Sequence, residues 1–100
     1  MRCLLVGLIS AGLLAVMPPV ASAAVTDCNV YAFYPNVKIS SARNMSCAEA
    51  RRAMRRHRGS IATRFTTPGG FRCARVSGAE LGGQWRCVRR SRAFRFEFGD

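Results

Sequence analysis

The chain reads as an α+β protein: one helix packed on a three- to four-stranded antiparallel sheet, held by two disulfides. Three observations predict this. A helix-start signature stands at residues 46–49, strand-like runs joined by short connections fill the last third, and four cysteines remain once an export signal is set aside.

The export signal comes first. Met1-Arg2 gives a positive start, Cys3 to Met17 is an apolar run, and Pro18-Pro19 stop it. Ala21-Ser22-Ala23 supplies small residues where a signal peptidase reads, and Ser22-Ala23-Ala24 fits one residue later. The apolar run is roughly 15 residues, short of the ~20 that span a bilayer. We therefore expect residues 1–23 to be removed, leaving 24–100 as a single small disulfide-stapled domain without a membrane span. Val25-Thr26-Asp27 before Cys28 lacks the apolar-small-small lead-in of a lipid-attachment site.

A chain this short buries only ~60–65% of its unfolded surface, which is marginal for independent stability. Cys28, Cys47, Cys73 and Cys87 are an even set in an exported chain, and each bridge that closes a short loop adds ~3 kcal/mol. Zinc is disfavoured: no Cys-x-x-Cys pair occurs, the gaps are wide, and His57 is the only histidine. No metal or cofactor is expected.

Local patterning justifies each element in turn. Cys28 to Tyr34 is apolar and aromatic, Pro35-Asn36 punctuates it, and Val37-Lys38-Ile39-Ser40 alternates, so a short, irregular hairpin is expected. Ser46 and Glu49 form a capping box with Met45 at the staple position, and Gly59 supplies the stop, so the helix is placed over 47–58. Wound at 3.6 residues per turn, it gathers Cys47, Ala50, Ala53, Met54 and His57 on one face and Arg51, Arg52, Arg55, Arg56 and Arg58 on the other. Ser60 to Gly70 reads as a loop ending in Pro68-Gly69-Gly70. Strand-like runs follow at 71–76, 84–89 and 94–98, the last with three phenylalanines on one face. Short connections favour an antiparallel meander.

Four cysteines allow three connectivities. A hairpin at Pro35-Asn36 brings Cys28 back towards the helix start, and a hairpin centred on Glu80 sets Cys73 opposite Cys87. The geometry leans to Cys28–Cys47 with Cys73–Cys87, and a cross pairing of Cys47 to a strand cysteine stays open.

The run Met45-Ser46-Cys47-Ala48-Glu49-Ala50-Arg51-Arg52, then Phe71-Arg72-Cys73, Trp85-Arg86-Cys87 and Phe94-Arg95-Phe96, resembles a largely uncharacterised group of small exported, cysteine-containing actinobacterial proteins. The likeness covers most of residues 28–99. It implies a fold and a secreted state, and transfers no catalytic residue.

The charge is lopsided. The whole chain carries +11, and losing Arg2 with the signal leaves +10. Lys38 is the only lysine, against Asp27, Glu49, Glu80, Glu97 and Asp100. Such a field attracts polyanions, although an Arg-for-Lys bias also follows from a GC-rich genome. The helix face with Arg51, Arg52, Arg55 and Arg56, extended by Arg72, Arg86, Arg89 and Arg95 on the sheet, is the candidate anion-binding surface. Trp85, Phe71, Phe94, Phe96 and Phe98 are assigned to the core rather than to a stacking platform.

The leading functional expectation is a small secreted cationic, non-enzymatic protein, extracellular or in the cell envelope, that binds an anionic polymer through arginine. The alternative is a protein-binding module or hydrolase inhibitor presenting the 60–70 loop. A small ribonuclease ranks below both. It would need His57 as acid and Glu49, Glu80 or Glu97 as base, yet His57 falls on the packed helix face and Glu49 is used by the cap.

Overall fold

The computed structural model describes residues 24–79 and 82–99. The expected signal peptide, together with Glu80 and Asp100, lies outside the described residues. In chain order the elements are β1 (Val25–Phe33), β2 (Val37–Arg43), α1 (Cys47–Arg55), β3 (Arg64–Thr66), β4 (Arg72–Ser77), β5 (Gly83–Arg89) and β6 (Arg92–Phe98).

All strands join one antiparallel sheet in the order β1-β2-β6-β5-β4-β3. The α+β class with one helix on an antiparallel sheet is as expected, but the sheet has six strands rather than three or four. Two differences account for this. The 28–40 hairpin is longer at both ends and pairs through β2 with β6. The stretch expected as the loop 60–70 contains β3, which closes the opposite margin against β4.

The inner face of the sheet carries the core. Val37, Ile39 and Ala42 from β2, Phe94 and Phe96 from β6, Trp85 and Cys87 from β5, and Cys73 from β4 are all buried. Trp85 and Phe96 are cross-strand partners with rings stacked 5.4 Å apart, and Phe71 meets Phe94 edge-on at 5.2 Å. Burying aromatics of this size dominates the energetics of so small a body, at about 1.5–3 kcal/mol for each large apolar side chain.

Two covers share that face. Helix α1 lies over β1 and β2, burying Ala50 and Met54. The rest is covered by the extended segment that follows the helix. Trp85 Nε1 donates to the Ala62 carbonyl at 2.8 Å, and the Arg75 amide donates to Thr63 at 2.9 Å, continuing the β3–β4 ladder by one rung. Ile61 and Phe65 are half-buried against the core.

The helix starts as its capping box requires: the Glu49 amide donates to Ser46 Oγ at 3.0 Å, and the Ser46 amide donates to Glu49 Oε1 at 2.8 Å. It ends at Arg55, three residues before the expected 58. The His57 amide bonds to Met54 rather than Ala53, tightening the last turn. The imidazole leaves the helix axis to stack on Phe65 at 4.4 Å, with Nε2 3.0 Å from the Ser60 carbonyl.

Irregularities in the strands set which side chains face out. Ser40 is an extra residue in β2 relative to β6, since Ile39 faces Phe96 and Ser41 already faces Arg95. This bulge resets the alternation, so Ala42 turns inward while Ser41 and Arg43 turn outward. On β1 the matching irregularity falls at Cys28-Asn29, where Asn29 has φ 59°. Gly83 is required where β4 turns into β5: a Cβ there would strike the Ser77 carbonyl, and its φ is 137°. At the other end of β5, Arg90 opens the turn into β6 with φ 55°.

The bridges are Cys28–Cys47 and Cys73–Cys87, the pairing that the hairpin geometry favoured. Cys73 and Cys87 are direct cross-strand partners with Cα atoms 4.0 Å apart. Cys28–Cys47 ties the margin strand β1 to the first residue of α1. Arg51 adds a second tie there, its Nε donating to the Tyr31 carbonyl at 2.9 Å.

Candidate anion-binding face

Helix α1 and the segment after it cover the inner face, and no helix or strand among the described residues packs on the outer face, where Arg43, Arg86 and Arg95 are exposed. Register assigns its side chains. One row across the strands reads Asp27, Ser41, Arg95, Arg86, Ala74, Arg64, from β1 to β3. The next reads Val25, Arg43, Ala93, Val88, Arg72, Thr66. Arg86 and Arg95 thus stand side by side on β5 and β6, with Arg43 one strand and one row away. Arg43, Arg86 and Arg95 rim a depression of about 380 Å³ that Ala93 and Ser41 also line.

On the other side of the arginine row, about 6.8 Å along the strands, the face changes character. Tyr31, Lys38, Glu97, Gln84 and Ser77 form that row and line a second depression of about 460 Å³. Lys38 and Glu97 are cross-strand partners of opposite charge, and the Lys38 ammonium lies 6.0 Å from the Tyr31 ring centroid. Tyr34, at 79% exposure the most open large hydrophobic side chain among the described residues, meets Tyr31 edge-on at 4.8 Å.

The expected arginine surface is therefore divided, not continuous. Arg72, Arg86 and Arg95 lie on the outer face. Arg51, Arg52 and Arg55 lie on α1, with Arg56 at its C-cap, across the sheet from them, and Arg51 is engaged with the Tyr31 carbonyl. Arg89 belongs to neither group. It pairs with Arg92 at the β5–β6 turn and lies against Gly70, where an added Cβ would come within 3.3 Å of its Nε. Arg43 and Arg64 complete the outer face and were missed. Their signal was weak, because one follows the Ser40 bulge and the other sits in a stretch read as loop.

Glu80 lies outside the described residues, and the rest of the acid–base set considered for a ribonuclease does not converge. His57 packs on the inner side against Phe65, whereas Glu97 is on the outer face beside Lys38 and Gln84. The Glu49 carboxylate accepts the Ser46 amide, and that bond, with Arg92 and Arg52 nearby, holds it below the ordinary carboxylate range despite some desolvation. Among the described residues no cluster of His, Cys, Asp or Glu is suited to hold a metal ion. No helix among them is long and apolar enough to cross a membrane.

No family model, curated protein or solved structure matches this chain.

Proposed function

We propose that the chain is a small exported, non-enzymatic binding protein that holds an anionic polymer of the envelope or extracellular space on its outer sheet face. The observation that carries this reading is the cross-strand pair Arg86–Arg95 with Arg43 beside it, on the sheet face that no helix or strand among the described residues covers. Like charges directly opposite destabilise a sheet, and an anion laid across them removes that cost. Guanidinium groups bind carboxylate, sulfate and phosphate oxygens in a bidentate fork. The remaining net charge adds long-range attraction.

The exported setting is supported by the expected N-terminal signal and by the two bridges, which persist in oxidising compartments. The helix arginines form a second basic surface that steers the protein towards a polyanion without sharing the outer-face contact.

The test uses the oxidised protein collected from a secreting host. Polyanion affinity is measured against salt, with Arg86→Gln/Arg95→Gln as the variant. We expect binding that falls steeply with salt, and a variant with lower affinity and a shallower slope. Failure to bind any polyanion at low salt overturns the proposal, as does binding indifferent to salt.

A further inference from the structure

The outer face carries unbalanced positive charge on one side only, since Lys38 and Glu97 oppose each other on the other, and that asymmetry selects among anionic polymers. Next to the Arg43, Arg86, Arg95 depression lies one built from Tyr31, Lys38, Gln84 and Glu97, with Tyr34 against Tyr31. A ligand that follows β5 and β6 passes from guanidinium groups to the planar side chains of Gln84 and Glu97 within one row, about 6.8 Å, and the aromatic wall at Tyr31 lies two strands further across that row, about 9.6 Å from Glu97. Lys38 and Glu97 leave that second depression without net charge, so it offers no attraction to a chain that carries negative charge at every unit. This disfavours polyphosphate, a nucleic-acid backbone or an anionic lipid surface laid along the face. A carboxylate and an amide are instead the groups that accept from and donate to sugar hydroxyls. The apolar C–H face of a pyranose lies against an aromatic ring, and Tyr31 and Tyr34 offer one at the margin. The large inward aromatics, Trp85, Phe94 and Phe96, are buried and unavailable for stacking bases.

We infer that the occupant is a polysaccharide with acidic and neutral sugars in alternation, an acid group on Arg43, Arg86 and Arg95 and neutral rings along the row from Gln84 and Glu97 to Tyr31. This rests on the anionic-polymer reading and narrows it to a glycan.

The experiment compares hyaluronan oligosaccharides, which alternate a uronic acid with an N-acetylated sugar, against polyphosphate, single-stranded oligothymidine and anionic vesicles. Titrations use the oxidised secreted protein at low salt. We expect hyaluronan to bind most tightly. Tyr31→Ala should weaken it about tenfold while leaving polyphosphate unchanged, and Tyr31→Phe should retain it. Arg86→Gln/Arg95→Gln should weaken both, and Glu97→Gln should strengthen polyphosphate. If Tyr31→Ala disturbs the fold, Tyr34→Ala reads the same wall from a side chain that is 79% exposed. If polyphosphate, oligothymidine or vesicles bind as well as hyaluronan and neither tyrosine variant distinguishes them, the glycan inference is overturned while the anionic-polymer reading survives. If none of the probes binds, both fall.

Discussion

Arg86 and Arg95 face each other directly across β5 and β6, on the side of the sheet opposite the helix. A sheet gains nothing from that arrangement, since directly opposed like charges are destabilising. Arg86→Gln should therefore raise the melting temperature of the ligand-free protein at low ionic strength. The gain should shrink in high salt, where exposed charges are screened. Thermal melts at two salt concentrations decide it; a variant that melts lower at low salt would show that the pair is structurally favourable.

The cover over β4 and β5 hangs on the bond from Trp85 Nε1 to the Ala62 carbonyl. Trp85→Phe keeps an aromatic ring in the core but deletes the donor, and should cost about 1 kcal/mol for the bond plus the lost ring volume. Its signature is local. The Arg75 amide, which donates to Thr63, should exchange hydrogen faster relative to amides of β6. Uniform acceleration throughout the sheet would mean that the bond does not hold the segment down.

Helix α1 depends on its first turn. Ser46→Ala should destabilise the protein by about 1 kcal/mol, read by chemical denaturation. The partner carboxylate gives a pH dependence of definite sign. The fold holds Glu49 below its ordinary value of 4.5, so its stabilisation is complete above that value and is lost as pH falls through the depressed one. Glu49→Gln should flatten the acid limb of the stability profile; an unchanged limb would remove Glu49 from that role.

Met54 is fully buried between α1 and the sheet. Met54→Ala should cost about 2–5 kcal/mol through the cavity it leaves. Because Cys28–Cys47 still tethers the helix start, helical circular dichroism should be lost together with the sheet signal rather than before it. A helix that melts first would show that α1 is a separate unit.

What the amino acids disclosed locally, they disclosed well. Ser46 and Glu49 locate the helix start, the alternation at 94–98 assigns its phenylalanines to the core, and symmetry about residue 80 opposes Cys73 and Cys87. What stayed hidden was non-local or very short. Arg64-Phe65-Thr66 is too brief to show a period, so β3 passed for loop. The pairing of β2 with β6 joins residues fifty or more positions apart and leaves no trace in either. The face of Arg43 depends on the Ser40 bulge, which inverts the alternation just where a sequence pattern would place this side chain inward. Local periodicity cannot report a slip in register that only a neighbouring strand creates. That is why the arginines looked like one surface and are two.

The two bridges also differ in reach. Cys73 and Cys87 sit inside the sheet at 3% and 0% exposure, whereas Cys28 and Cys47 are half-buried where α1 meets the rim. A thiolate arriving from solvent meets the rim pair first, because exchange needs access to sulfur. Entry into a reducing milieu would thus unclip the helix end before the central rung gives way, leaving a half-opened form whose arginine face is still intact.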